Sequence, residues 1–309
     1  MKKYIEPRLR RDFGGVINAF LDFVKYNIKG LFNVFFNYNA VLFIIILIAS
    51  YFSAKGLSGF MGVQENLGGF ATPFSLFSQM DDYLIGMGIT LLVYFLSSVL
   101  NSCLSATYLR LYEEQKAPNP DRKEVFKQAL KRMPGVAGLL ILLFLMFFVV
   151  ALVALLIVIV PLLGIFAYLF VALTYFTWLS MAVFAYAYNN QYTIGMAMKE
   201  SWNLLFTKFW KAVGTFFVIS ILIYVVMAAM QTIPTLINTY LSFNASAETL
   251  DSLWYQLFLF TYTSISNILS LFAYLLIQTG VGFLYLELNE RRYNVYLKER
   301  IQQLGEENV

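Results

Sequence analysis

The chain alternates between long apolar runs without charge and short polar stretches. No Asp, Glu, Lys or Arg occurs over 133–198, and four more charge-free runs cover 30–54, 83–109, 212–247 and 252–286. A bilayer core takes about 20 apolar residues per helix, so the first run is long enough for two crossings. The pattern predicts transmembrane helices over 31–55, 83–109, 135–160, 162–189, 211–232 and 256–286. The expected fold class is all-α and integral to a membrane. Its six transmembrane helices would form three hairpins in a single membrane domain over 1–309.

A second pattern precedes each expected hairpin. Over 12–29, Phe13, Val16, Ile17, Phe20, Val24 and Ile28 recur three or four apart, opposite Asn18, Asp22 and Lys25. Over 121–133, Val125, Phe126, Ala129, Leu130 and Met133 make an apolar face, and Asp121 with Glu124 resembles a capping box just after Pro120. Over 193–208, Ile194, Ala197, Ser201, Leu204 and Leu205 share one side. Each stripe has helical spacing and predicts an amphipathic helix in the headgroup plane. Ala19, Ala129 and Ala197 fall at matching places, so the unit of interfacial helix plus hairpin is expected three times.

Charge gives the expected orientation. Of the 22 Lys and Arg, all but Lys55 fall in the N-terminal arm, the two connections after the second and fourth spans, or the tail over 288–309. The positive-inside rule then puts both termini in the cytoplasm. The outer loops over 56–82 and 233–255 hold acids and almost no bases, and the third outer turn, near 161–164, is very short. With 60% hydrophobic and 13% charged residues, no soluble catalytic domain is left over. The basic balance reports topology, and no nucleic-acid partner is expected.

The 193–208 segment and the step after it carry a resemblance. Ala197, Met198, Ser201, Trp202, Leu204, Lys208, Phe209 and Trp210 follow an "Ala-Leu-x-x-Ser-Trp-x-Leu" helix with an aromatic-basic step into the next span. Tyr285, Glu287, Glu290 and Arg291 match an exit segment in which an aromatic and then alternating charges leave the bilayer. This resembles the six-helix membrane domain fused to some bacterial glycerophosphodiester phosphodiesterases, and its stand-alone relatives. The resemblance implies a bacterial inner-membrane protein. No phosphodiesterase domain follows here, so the hydrolase chemistry is not implied.

Candidate chemistry is sparse. There is no histidine, and the one cysteine, Cys103, reads as a small buried residue. No cofactor, metal site or catalytic residue is expected, since a hydrolase nucleophile needs an activating base. Glu287 reads as a solvated helix end paired with Arg291. Polar residues line the second helix of each hairpin, and Ser98, Asn101, Thr177, Asn267 and Ser270 are the candidates for a central crevice. Close helix packing is the competing role for such residues. Tyr186, Tyr188, Tyr192, Trp202 and Trp210 at one interface, with Tyr240 and Trp254 at the other, read as an aromatic belt and not a ligand cage. Lipid contact is expected at Phe13, Phe20, Phe126, Leu130, Ala197 and Trp202, with Lys123, Lys127, Lys131 and Arg132 touching anionic headgroups.

Two functions follow. One is a non-enzymatic scaffold, assembly factor or lipid-interacting component of an envelope complex, whose partners are membrane lipid and an envelope protein. The other is a permease moving a lipid or small polar solute along the polar stripe. The lack of charge inside the expected spans favours the scaffold, because buried membrane charges usually serve transport.

Overall fold

The computed structural model describes residues 4–66, 81–158, 163–244, 252–295 and 298. Seven α-helices are present among them: α1 (Phe13–Asn66), α2 (Asp81–Gln115), α3 (Arg122–Val158), α4 (Leu163–Tyr188), α5 (Ile194–Thr207), α6 (Phe209–Asn244) and α7 (Leu253–Tyr293). No strand occurs among the described residues. All helices except α5 are long and apolar enough to cross a membrane. In a bilayer a helix satisfies its own backbone polar groups, which water cannot reach there.

The expected amphipathic helices differ from the observed ones. The segment over 12–29 is not a separate helix, because α1 runs on through Gly30 into the first span. The segment over 121–133 is likewise the start of α3, which begins right after Asp121 and continues through Pro134. Neither junction contains a residue that stops the helix. Only α5 stands alone, close to its expected bounds. The Thr193 hydroxyl caps it by accepting from the Met196 amide, and Lys208 leaves helical geometry at φ −149°, ψ 71°. The outer loops are also shorter than expected. Helix α1 extends over 56–66 and α6 continues through Pro234 to Asn244. The rest of the expected loop around 67–80, the turn at 159–162, and most of the tail beyond 295 lie outside the described residues.

The chain divides into two compact units. The first comprises Met1–Phe35, Val99–Ile223 and Leu275–Val309, and the second Phe36–Ser98 and Tyr224–Tyr274. In the first unit, α3 packs on α4 and α4 on α5. Arg132 and Gly135 meet Tyr186, while Tyr175 donates to the Leu143 carbonyl, so the contacts run down one helix as they run up the other.

Helix α7 is the most enclosed of the six. In its most apolar window 78% of residues are buried, against 17–33% in the other five. Over 275–288 every residue is buried. Two glycines make this close packing possible. A Cβ on Gly280 would stand 2.7 Å from Ile219 Cγ2, and one on Gly282 would stand 2.5 Å from Phe184 Cε2 and 2.7 Å from Leu109 Cδ2. Phe23 adds a tilted ring contact to Phe283 at 5.2 Å and edge contacts to Tyr108 and Tyr112. Lipid tails are as apolar as leucine, so van der Waals fit and not burial from water holds these helices together.

In the second unit, polar side chains bond between helices. Tyr94 donates to Asn267 Oδ1 at 3.0 Å, and Asn267 donates to Ser50 Oγ at 3.4 Å. Lys55 pairs with Asp82 at 2.8 Å. Tyr240 and Trp254, expected in an aromatic belt, are exposed.

Candidate functional site

The five crevice candidates are divided between the two compact units. Asn101 and Thr177 belong to the first unit and are fully buried; Ser98, Asn267 and Ser270 belong to the second. Ser98, Thr177 and Ser270 donate back to the carbonyls of Tyr94, Leu173 and Ser266 on their own helices. Such back-bonding satisfies a hydroxyl without a ligand. Asn267 joins a network across helices, through Tyr94 and Ser50.

The lipid-contact candidates also separate. Phe13, Leu130 and Trp202 are exposed, Phe126 is half-buried, and Lys123, Lys127 and Lys131 are exposed. Phe20 and Ala197 are buried inside the protein, so they do not meet lipid. The buried edge of α1 runs through Val16, Phe20, Phe23 and Asn27, a stripe rotated from the expected one by packing against α7. Ala197 sits on the inner face of α5 with Ser201, Leu204 and Leu205. Arg132 is also drawn into the protein. Its guanidinium donates to the carbonyls of Tyr186, Asn189 and Tyr192 and stacks 3.9 Å from the Tyr186 ring centre. Arg110 donates to the Tyr188 carbonyl at 2.9 Å and to Asn190 at 2.8 Å. Two cations therefore satisfy the open carbonyls at the end of α4, where the helix dipole is negative.

Glu287 overturns its expected role as a solvated helix end. It is fully buried and pairs with Lys211 at 2.7 Å and Arg291 at 2.7 Å. The N-terminal arm closes over this group. Lys211 and Arg291 both donate to the Arg11 carbonyl, at 2.6 and 2.9 Å. Arg11 itself donates to the Glu6, Pro7 and Leu9 carbonyls. Burial lowers the Arg11 pKa, opposed by Glu6 and Glu287. The Glu287–Arg291 pairing is as expected from four-residue spacing.

Near this cluster, in the same unit, lies a polar cavity of ≈ 370 Å³. Helix α7 presents Tyr285, Asn289 and Tyr293 to it at four-residue intervals, one face of a helix. The end of α4 contributes Tyr188 and Asn189, α5 contributes Glu200, and the N-terminal arm contributes Arg8. Tyr192, in the α4–α5 connection, completes the wall with Val295. Tyr188 is buried and not part of an interfacial belt: its hydroxyl donates to Glu113 at 2.5 Å and accepts from Arg8 at 3.3 Å. Arg8 and Glu113 are themselves paired at 2.9 Å. Asn189 donates to the Tyr285 hydroxyl at 3.2 Å, and Tyr293 donates to Glu200 Oε2 at 3.0 Å. Burial, reinforced by Glu200, raises the Tyr192 pKa, which keeps that hydroxyl protonated.

Sequence reasoning missed this cavity because it read the tyrosines as belt residues one at a time. The available signal was the spacing of Tyr285, Asn289 and Tyr293, together with a tyrosine-asparagine cluster over 186–192 where the expected fourth span ends. Among the described residues no group of three His, Cys, Asp or Glu side chains is placed to hold a metal. Comparison with protein-family models, with curated proteins and with solved structures returns no match for this chain.

Proposed function

We propose that the chain is a non-enzymatic, multi-pass protein of a bacterial inner membrane, acting as a scaffold or lipid-interacting component of an envelope complex. In this reading its spans form three hairpins with both termini cytoplasmic. The segregation of all basic residues but Lys55 supports that orientation. The family resemblance carried by Ser201, Trp202 and the 285–291 exit segment belongs to the same proposal. The observation that carries the scaffold reading is the packed stretch over 275–288, where every residue is buried. A carrier must open such a core during each cycle, whereas a scaffold gains rigidity from it. The exposed row Lys123, Lys127 and Lys131 on α3 supports contact with anionic lipid.

The test is purification from the native membrane in mild detergent, with mass spectrometry of the proteins and lipids retained. A stoichiometric membrane or envelope protein is the expected result. Recovery of the chain alone, with solute flux lost in Asn267→Leu proteoliposomes, would overturn it in favour of a permease. That alternative rests on the Tyr94–Asn267–Ser50 network inside the second unit.

A further inference from the structure

We propose that the cavity bounded by the ends of α4 and α7 and by α5 binds a primary ammonium group, with Glu200 as its counter-charge. The site is separate from the scaffold reading and stands whether the chain scaffolds or transports.

Its size comes first. A cavity of ≈ 370 Å³ falls within the range of small-molecule sites, roughly 300–1,000 Å³. Its charge comes next. The two charged side chains that line it are Arg8 and Glu200. Arg8 is engaged by Glu113, and that pair cancels. Glu200 makes no ion pair among the described residues. Its Oε2 accepts from Tyr293, and its Oε1 is buried without a hydrogen-bond partner. A carboxylate oxygen held away from water without a donor is costly, and a ligand that supplies the donor recovers that cost. The net demand of the cavity is therefore one positive charge carrying N–H groups.

The remaining walls select the kind of cation. A primary ammonium has three donors and no acceptor. Glu200 Oε1 is an open acceptor, and Asn289 and four tyrosines line the same cavity. Aromatic rings favour a cation over a neutral molecule of the same shape. A phosphate would face Glu200 while Arg8 is already occupied. A divalent metal would find a single unpaired carboxylate and no histidine. The ammonium can come from two sources, the headgroup of an aminophospholipid or a soluble amine.

The experiment uses the full chain. In detergent free of aminophospholipid, calorimetry measures binding of ethanolamine and of ethylene glycol, its uncharged counterpart. In parallel, the chain is reconstituted with equal phosphatidylethanolamine and phosphatidylglycerol, and native mass spectrometry reads the lipid retained. Each measurement is repeated on Glu200→Gln, on Tyr192→Phe, and on Lys199→Gln as an exposed neighbouring control. Either ethanolamine binding or phosphatidylethanolamine retention supports the site, and which of the two occurs names the source. Glu200→Gln keeps an acceptor for Tyr293 and removes only the charge, so binding should fall on the order of tenfold or more at unchanged melting temperature. If Glu200→Gln does not fold, Tyr192→Phe, which removes one hydroxyl, should still weaken binding severalfold. Lys199→Gln should leave binding unchanged. Absence of both kinds of binding overturns the proposal, as does equal affinity for ethylene glycol or unchanged binding in Glu200→Gln.

Discussion

Replacing Glu287 by Ala should be among the most destabilising single changes in this chain. The carboxylate is fully buried, and Lys211 and Arg291 both reach it at 2.7 Å. Removing it leaves Lys211, 13% exposed, and Arg291, 30% exposed, facing each other with only the Arg11 carbonyl shared between them. Breaking a buried ion pair from one side costs about 3–5 kcal/mol, because the remaining charge is stranded. At roughly 2 °C per kcal/mol for a chain larger than a small domain, the melting temperature should drop by about 6–10 °C. Cys103 supplies the assay, since it is the one thiol and is buried. A thiol-reactive fluorescent dye therefore reports unfolding in detergent. A double variant, Lys211→Met with Glu287→Leu, removes both signs and should recover a good part of the loss. A Glu287→Ala protein that melts within 1 °C of wild type, a scale set by about 0.5 kcal/mol, would falsify the reasoning that this pair is structurally coupled.

Further outcomes follow from other contacts. Gly282→Ala should cost about 1–3 kcal/mol by overpacking against Phe184 and Leu109, whereas Gly14→Ala, with nothing within 4 Å, should leave the melting temperature unchanged or slightly raised. Arg132→Ala should cost about 1.5–3 kcal/mol through the lost charged donors to the end of α4, and Arg132→Lys should restore less than half, since an ammonium cannot bridge several carbonyls in one plane. Changing Lys123, Lys127 and Lys131 together to Gln should leave stability untouched. It should lower the anionic lipid retained in native mass spectra, by about 1 kcal/mol per lysine.

The six apolar helices were legible because hydropathy over a bilayer's thickness is a local property. The extent of helix α5 was also readable from the spacing of Ala197, Ser201, Leu204 and Leu205, but that face packs inside the protein and not against lipid. The fusion of amphipathic and apolar segments in α1 and α3 was not readable. Gly30 and Pro134 resemble punctuation, yet each lies inside a continuous helix. Gly30 is there for closeness, since a Cβ would collide with the Asn119 side chain and the Tyr108 hydroxyl. Glu287 was misread because its position at the end of a charge-free run looks solvated. What buries it is an arm whose Arg11 lies 280 residues away from Arg291 in sequence. The burial of Tyr188 has the same origin, through Arg8. Tertiary contacts of this range leave no periodic trace.

The enclosure of α7 has a consequence for biosynthesis. The ribosome makes this helix after the other six, so the earlier helices enter the membrane before their common packing partner exists. Until α7 arrives, the faces that will receive Gly280 and Gly282, on Ile219, Phe184 and Leu109, must be covered by lipid or by an insertion chaperone. Assembly of the first unit is thus a late, post-insertion event, and a nascent chain arrested before residue 275 should remain open to protease and to the membrane quality-control machinery.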